Sequence, residues 1–128
     1  MKILLDTCAF LWIISDAPEL TDNARMVFHN PENEIYLSAV SAWEIMVKHS
    51  AGKLPLPSEP VSFIREQRKQ HEIKPLSLDE SSVFHLVALP GIHRDPFDRM
   101  LVCQAIEHGL SILTPDHMIN QYPVRVVW

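Results

Sequence analysis

The chain has 128 residues and 47% apolar content, enough for one hydrophobic core and too apolar for a disordered or fibrous protein. Its formal net charge of −5 excludes binding to nucleic acid through an overall basic field. Its two cysteines, Cys8 and Cys103, lack CxxC spacing and are expected as buried free thiols of a reducing cytoplasm.

The predicted elements alternate from the N-terminus onward. Lys2 to Asp6 is a short apolar strand that ends in an acid, and Thr7 to Ser15 continues as an apolar helix. Asp6 breaks the apolar run from Ile3 to Ile14, no A-x-A site follows, and the run is too short to span a bilayer. A soluble cytoplasmic protein is therefore expected. Thr21 caps a helix through about Asn30, and Glu34 to Ser38 is the second strand. Ser38 or Ser41 caps the next helix, whose apolar stripe is Val40, Trp43 and Val47 and which ends near Gly52.

Lys53 to Pro60 is a proline-punctuated loop, Ser62 to His71 a charge-rich helix, and Ile73 to Leu78 a weak third strand interrupted by Pro75. The basic residues Arg65, Arg68 and Lys69 read better as a solvated helix face than as a phosphate-tracking one. Asp79 to Ala88 is a further helix, with Val83, Leu86 and Val87 apolar, and Leu89-Pro90-Gly91 is a turn. The strongest helix runs from Pro96 to Gly109, with Asp95 as N-cap, Pro96 at the first helical position and Gly109 as the stop. Leu110 to Thr114 and Val124 to Trp128 are the fourth and fifth strands. The alternation predicts a three-layer α/β/α fold with a central, mostly parallel five-stranded sheet, all within a single domain spanning 1–128.

In such sheets the ligand site lies beyond the carboxyl ends of the strands. Asp6 and Asp116 both fall there, after the first and fourth strands. Asp6 has two readings at this point, helix cap or ligand, with Thr7 able to take over the cap. Glu44 is either an exposed i,i+4 partner of Lys48 or, if its helix crosses the strand ends, part of the same site. Asp98 lies three residues beyond Asp95 and has less structural work than the cap, so it is the better ligand of the two. Thr114 is placed to hydrogen-bond a ligating carboxylate.

Setting aside Asp6, Glu44, Asp95, Asp98 and Asp116 leaves as many acids as Lys and Arg together. An acidic pocket neutralised by a cation can then meet a phosphate backbone. Two carboxylates about 5 Å apart repel by about 3 kcal/mol at an effective dielectric of about 20. A divalent ion turns that repulsion into a binding site. The seven histidines show no HxxxH pairing, so an oxygen-rich Mg²⁺ or Mn²⁺ site is expected in preference to zinc.

These residues resemble a known family. Leu4-Leu5-Asp6-Thr7, Ser41-Ala42-Trp43-Glu44-Ile45 with Lys48 and Gly52-Lys53-Leu54, the run from His93 to Leu101, and Leu113-Thr114-Pro115-Asp116 together resemble a PIN domain of the VapC toxin ribonuclease type. The resemblance covers essentially the whole chain and rests on the order and spacing of motifs that are each weak alone. It implies a five-stranded parallel sheet between helices and an Mg²⁺- or Mn²⁺-dependent endoribonuclease with RNA as substrate. Asp6, Glu44, Asp98 and Asp116 match the four acids of the family, with Asp95 an extra one and Thr7 and Thr114 as supports. It further implies a homodimer and a cognate antitoxin that covers the acidic site. The alternatives are a catalytically inactive nucleic-acid- or protein-binding module and a phosphoacceptor domain. The second would need adjacent acids near the first strand, where this chain has Asp6 alone.

Overall fold

The computed structural model describes all residues 1–128. Five strands form one sheet: β1 (Lys2–Leu5), β2 (Glu34–Ser38), β3 (Lys74–Leu76), β4 (Ser111–Leu113) and β5 (Val126–Val127). Their order is β3-β2-β1-β4-β5, and every pairing is parallel. The helices are α1 (Thr7–Ser15), α2 (Asp22–His29), α3 (Ala39–Ser50), α4 (Pro60–His71), α5 (Glu80–Phe84) and α6 (Pro96–His108).

β1 sits at the centre because it is apolar on both faces. Ile3 and Leu5 point into a cluster with Phe10, Phe28, Ile45, Phe63 and Ile64, and Leu4 points into a second cluster with Val40, Leu101, Val102 and Ile112. Alternate residues of a strand face opposite sides, so a central strand must be apolar at every position. Helices α1, α2 and α4 cover one face and α6 the other. Truncating Leu4 or Leu5, both fully buried, costs about 2–5 kcal/mol.

The chain moves outward from β1 to β2 and β3, then returns to place β4 on the other side of β1. The sheet therefore changes direction between β1 and β4, and the crevice at that point is where parallel sheets bind ligands. The register makes the ends of β1, β2 and β4 level, with Leu5 beside both Leu37 and Leu113. Asp6, Ser38 and Thr114 follow those three residues as one row.

The sheet is parallel throughout, as the alternation predicts, and several elements differ in extent from the sequence expectation. β3 is shorter than Ile73 to Leu78, because the Ile73 amide is taken by the Arg68 carbonyl at the end of α4. β5 keeps only two residues of Val124 to Trp128. The helix expected over Asp79 to Ala88 is α5 followed by a 3-10 turn at His85–Val87, which leaves Val87 almost fully exposed. α4 begins earlier, at Pro60, because Glu59 accepts from the amides of Val61 and Ser62.

Arg68 leaves the solvated face and donates to the Leu37 carbonyl at 2.9 Å. Cys103 is buried as expected, but Cys8 is only half-buried. α3 departs most. Ser38 caps it, Trp43 and Val47 are exposed, and the buried face carries Ser41, Glu44 and Ile45 beside Val40. Because Val40 and Ile45 belong to clusters on opposite faces of the sheet, α3 crosses the strand ends.

Candidate metal centre

Asp6 caps α1. Its Oδ1 accepts from the Ala9 amide at 2.6 Å, and its Oδ2 accepts from the Thr114 hydroxyl. Cap and site acid are thus one side chain with two oxygens, and Thr7 does not relieve it of capping. The Thr7 hydroxyl donates instead to Glu44 Oε1 at 2.7 Å. The other oxygen of Glu44 receives the Lys48 ammonium. This pair is not the exposed one that i,i+4 spacing alone suggests, since Glu44 is 5% exposed.

Across the crevice, Thr114 accepts from the Asp116 amide at 3.0 Å while donating to Asp6. One hydroxyl therefore ties the end of β1 to the end of β4. Asp116 turns its Oδ1 to the Met118 amide at 2.8 Å, starting the turn that follows, and its Oδ2 into the crevice. Asp95 caps α6 by accepting from the Phe97 amide at 2.8 Å and the Asp98 amide at 3.3 Å. Asp98 is thereby presented from the first turn of α6, where the helix dipole favours negative charge.

All four acids reach one end of the sheet, and Asp98 and Asp116 approach a common point most closely. Their carboxylate oxygens and His93 Nε2 lie within 4.8 Å of one another. His93 Nε2 is 2.7 Å from Asp116 and 3.2 Å from Asp98. Asp6 joins this group through Thr114, and Glu44 joins through Thr7. Exposure rises outward from Asp6 at 4% to the Asp116 side chain at 30%. Asp95 stays in its cap. His93 escapes a reading based on HxxxH spacing; the signal for it is its position two residues before an N-cap, which brings its ring back onto the start of the helix.

The electrostatics are unbalanced. Burial pushes the Asp6 carboxyl up to about 6, and the Thr114 and Ala9 hydrogen bonds offset only part of that. Burial raises Asp98 to about 7, with neighbouring Asp95 adding to the shift. Lys48 is raised by its bond to Glu44. Cys8 is pushed up to about 11, first by burial and then by Asp6 and Asp98, so it is no nucleophile. Neutral donors alone meet Asp6. Buried carboxylates with oxygen donors and too few cations make a set that suits a hard divalent ion.

The PIN domain profile matches residues 3–124. Ribonuclease VapC16 of Mycobacterium tuberculosis is 33% identical over 69 residues, which is 54% of this chain and 49% of that protein. The match thus spans about half the length of VapC16. Ribonuclease VapC22 of the same organism is 25% identical over 121 residues, covering 94% of this chain and 91% of its own. The crystal structure of VapBC2 from Rickettsia felis, bound to a DNA fragment from their promoter, aligns with a TM-score of 0.73. It covers 99% of this chain and 98% of the other at 16% identity, a likeness of fold. The profile match extends from the strand before Asp6 to beyond Asp116, and on that ground the chain belongs to the PIN domain family.

Proposed function

We infer that the chain, acting as one PIN domain over 1–128, is a metal-dependent endoribonuclease and the toxin of a toxin–antitoxin pair. Asp6, Asp98 and Asp116 hold a divalent cation, Mg²⁺ or Mn²⁺, and Glu44 serves as a further ligand or orients the attacking water. The observation that carries this reading is the burial of Asp6 and Asp98 at the switch point of the sheet, pushed up to about 6 and about 7 with no cation beside Asp6. The ribonuclease names of two relatives support RNA as the substrate. The VapBC2 complex supports a protein partner of the antitoxin kind. A homodimer and a cytoplasmic setting belong to the same reading. No helix is long and apolar enough to cross a membrane.

When bound, the cation activates water and stabilises the leaving oxygen of a phosphodiester. The chain supplies the rest. The α1 cap and Thr114 fix Asp6 so that it cannot turn away from the crevice. Lys48 and Thr7 hold both oxygens of Glu44. Asp95 contributes through the backbone by fixing the first turn of α6 and with it Asp98. The test is incubation of the full chain with a random-sequence RNA pool, with and without Mg²⁺ or Mn²⁺, beside single-stranded DNA. Cleavage of RNA only with metal, lost in a folded Asp98→Asn variant, is the expected result. No cleavage with either metal would favour a binding module, and wild-type cleavage by Asp98→Asn would remove that residue from the site.

A further inference from the structure

We propose that His93 serves this site as a hydrogen-bond donor that positions Asp116 beside Asp98, and that it is not itself a metal ligand. The proposal rests on reading the acidic cluster as a cation site. The three side chains look at first like a His-Asp-Asp ligand set, since their ligating atoms all lie within 4.8 Å. The hydrogen bonds around the ring exclude that role.

The backbone at His93 is pinned. Its amide donates to the Tyr122 hydroxyl at 2.7 Å, and the Arg99 guanidinium donates to the carbonyls of Pro90 at 3.0 Å and His93 at 3.5 Å. The ring is then oriented by the start of α6. The Asp95 amide donates to His93 Nδ1 at 3.1 Å. A backbone amide always carries its hydrogen, so Nδ1 presents its lone pair. A neutral imidazole has one such lone pair, and the ring hydrogen must sit on Nε2.

Nε2–H donates to Asp116 Oδ2 at 2.7 Å, and Asp98 Oδ2 lies 3.2 Å from the same nitrogen. Coordination through Nε2 would need the lone pair there and the hydrogen on Nδ1, directly against the Asp95 amide. Asp95 cannot withdraw without breaking the cap that holds Phe97 and Asp98. The helix start thus locks the ring as a donor, and the donor holds the Asp116 carboxylate against that of Asp98, which repels it. Hydrogen-bonded partners of this kind orient ligands and typically change metal affinity by about 10–100-fold when removed.

Three measurements on the full chain test this. Nitrogen NMR of the metal-free protein should show His93 with hydrogen on Nε2 and none on Nδ1. Pulsed electron paramagnetic resonance of the Mn²⁺-loaded protein should show no directly bound imidazole nitrogen. Mn²⁺ titration should show His93→Ala binding about tenfold or more weaker. His93→Gln, whose amide nitrogen reaches the Nε2 position, should recover near-wild-type affinity. His93→Asn reaches only the Nδ1 position and should resemble Ala.

A hydrogen on Nδ1, a Mn²⁺–nitrogen coupling assigned to His93, or wild-type affinity in folded His93→Ala would overturn the proposal. Mn²⁺ binding without RNA cleavage would remove the ribonuclease reading and leave the role of His93 standing. No Mn²⁺ binding by the wild-type chain would overturn both.

Discussion

The two ends of this sheet carry the same kinds of side chain and treat them in opposite ways. At the amino end, Glu34 opens β2 and meets Lys74 of β3 at 2.7 Å, with both groups open to solvent. The hydrogen bond from Lys74 holds the Glu34 carboxyl below its ordinary range. His29, Lys69 and His71 line an open concavity at that end. At the carboxyl end, Asp6 and Glu44 are almost fully buried, and burial raises Asp6 and Asp98. Concavity does not separate the two ends. Acids withdrawn from water at the point where the strand order reverses do so.

The sharpest way to break this contrast is through pH. The folded chain holds protons on Asp6 and Asp98 that the unfolded chain gives up near 3.8, since both carboxyls are raised, to about 6 and about 7. Between those values the native state binds more protons than the unfolded one, so its stability falls as pH rises. The penalty is absent below about pH 4 and complete above about pH 7 in the metal-free protein. Each pKa unit corresponds to about 1.4 kcal/mol, which sets the effect at the order of several kcal/mol and about ten degrees or more in Tm.

Thermal melts in chelator at pH 5 and pH 8 should therefore show a lower Tm at pH 8. Saturating Mg²⁺ should restore it at pH 8 and do little at pH 5. Asp98→Asn should melt above wild type at pH 8 and lose part of the response to Mg²⁺. A metal-free wild-type Tm that rises across this interval would refute the account of both acids.

Much of this end is legible in the sequence. Asp95, Pro96 and Gly109 mark α6 because N-cap, first-turn proline and a left-handed stop are local requirements, and Gly109 has φ of 65°. Asp6 and Asp116 follow from their places after apolar runs. Glu44 was only half legible. Helical periodicity puts Val40, Trp43 and Val47 on one stripe, and that stripe ought to be the buried one. α3 crosses the strand ends, so its inner face meets the polar crevice and takes Glu44. Trp43 is left outside and stacks edge-on against Phe97 at 4.8 Å. The split of Thr7 and Thr114 between Glu44 and Asp6 depends on register between β1 and β4, which no local pattern encodes. His93 depends on a loop folding back onto a helix cap.

A smaller effect separates Asp95 from Asp98. Asp95→Ala removes the acceptor for two amides at the start of α6 and should cost about 1 kcal/mol. Asp95→Asn retains a capping oxygen and should cost little. In either variant the residue 95 amide still reaches His93 Nδ1, so metal-dependent cleavage should survive at moderately reduced rate. Thermal melts and RNA cleavage on the same samples check this. Cleavage lost with Tm unchanged would move Asp95 out of the cap and into direct contact with the cation.

The smallest expected effect lies at the amino end, and it is the control that gives the others meaning. Glu34→Gln keeps an acceptor for Lys74, whose ammonium also lies 5.9 Å over the Tyr36 ring. Exposed ion pairs are screened by water and salt and contribute little. Glu34→Gln should therefore leave Tm unchanged at pH 5 and pH 8, and should leave the Mg²⁺ response of the protein intact. Removing a surface acid subtracts as much net charge as Asp98→Asn does. If both variants shifted the Mg²⁺ response equally, the cation would be responding to overall charge. If only Asp98→Asn shifts it, burial at the switch point is what turns a carboxylate into a ligand.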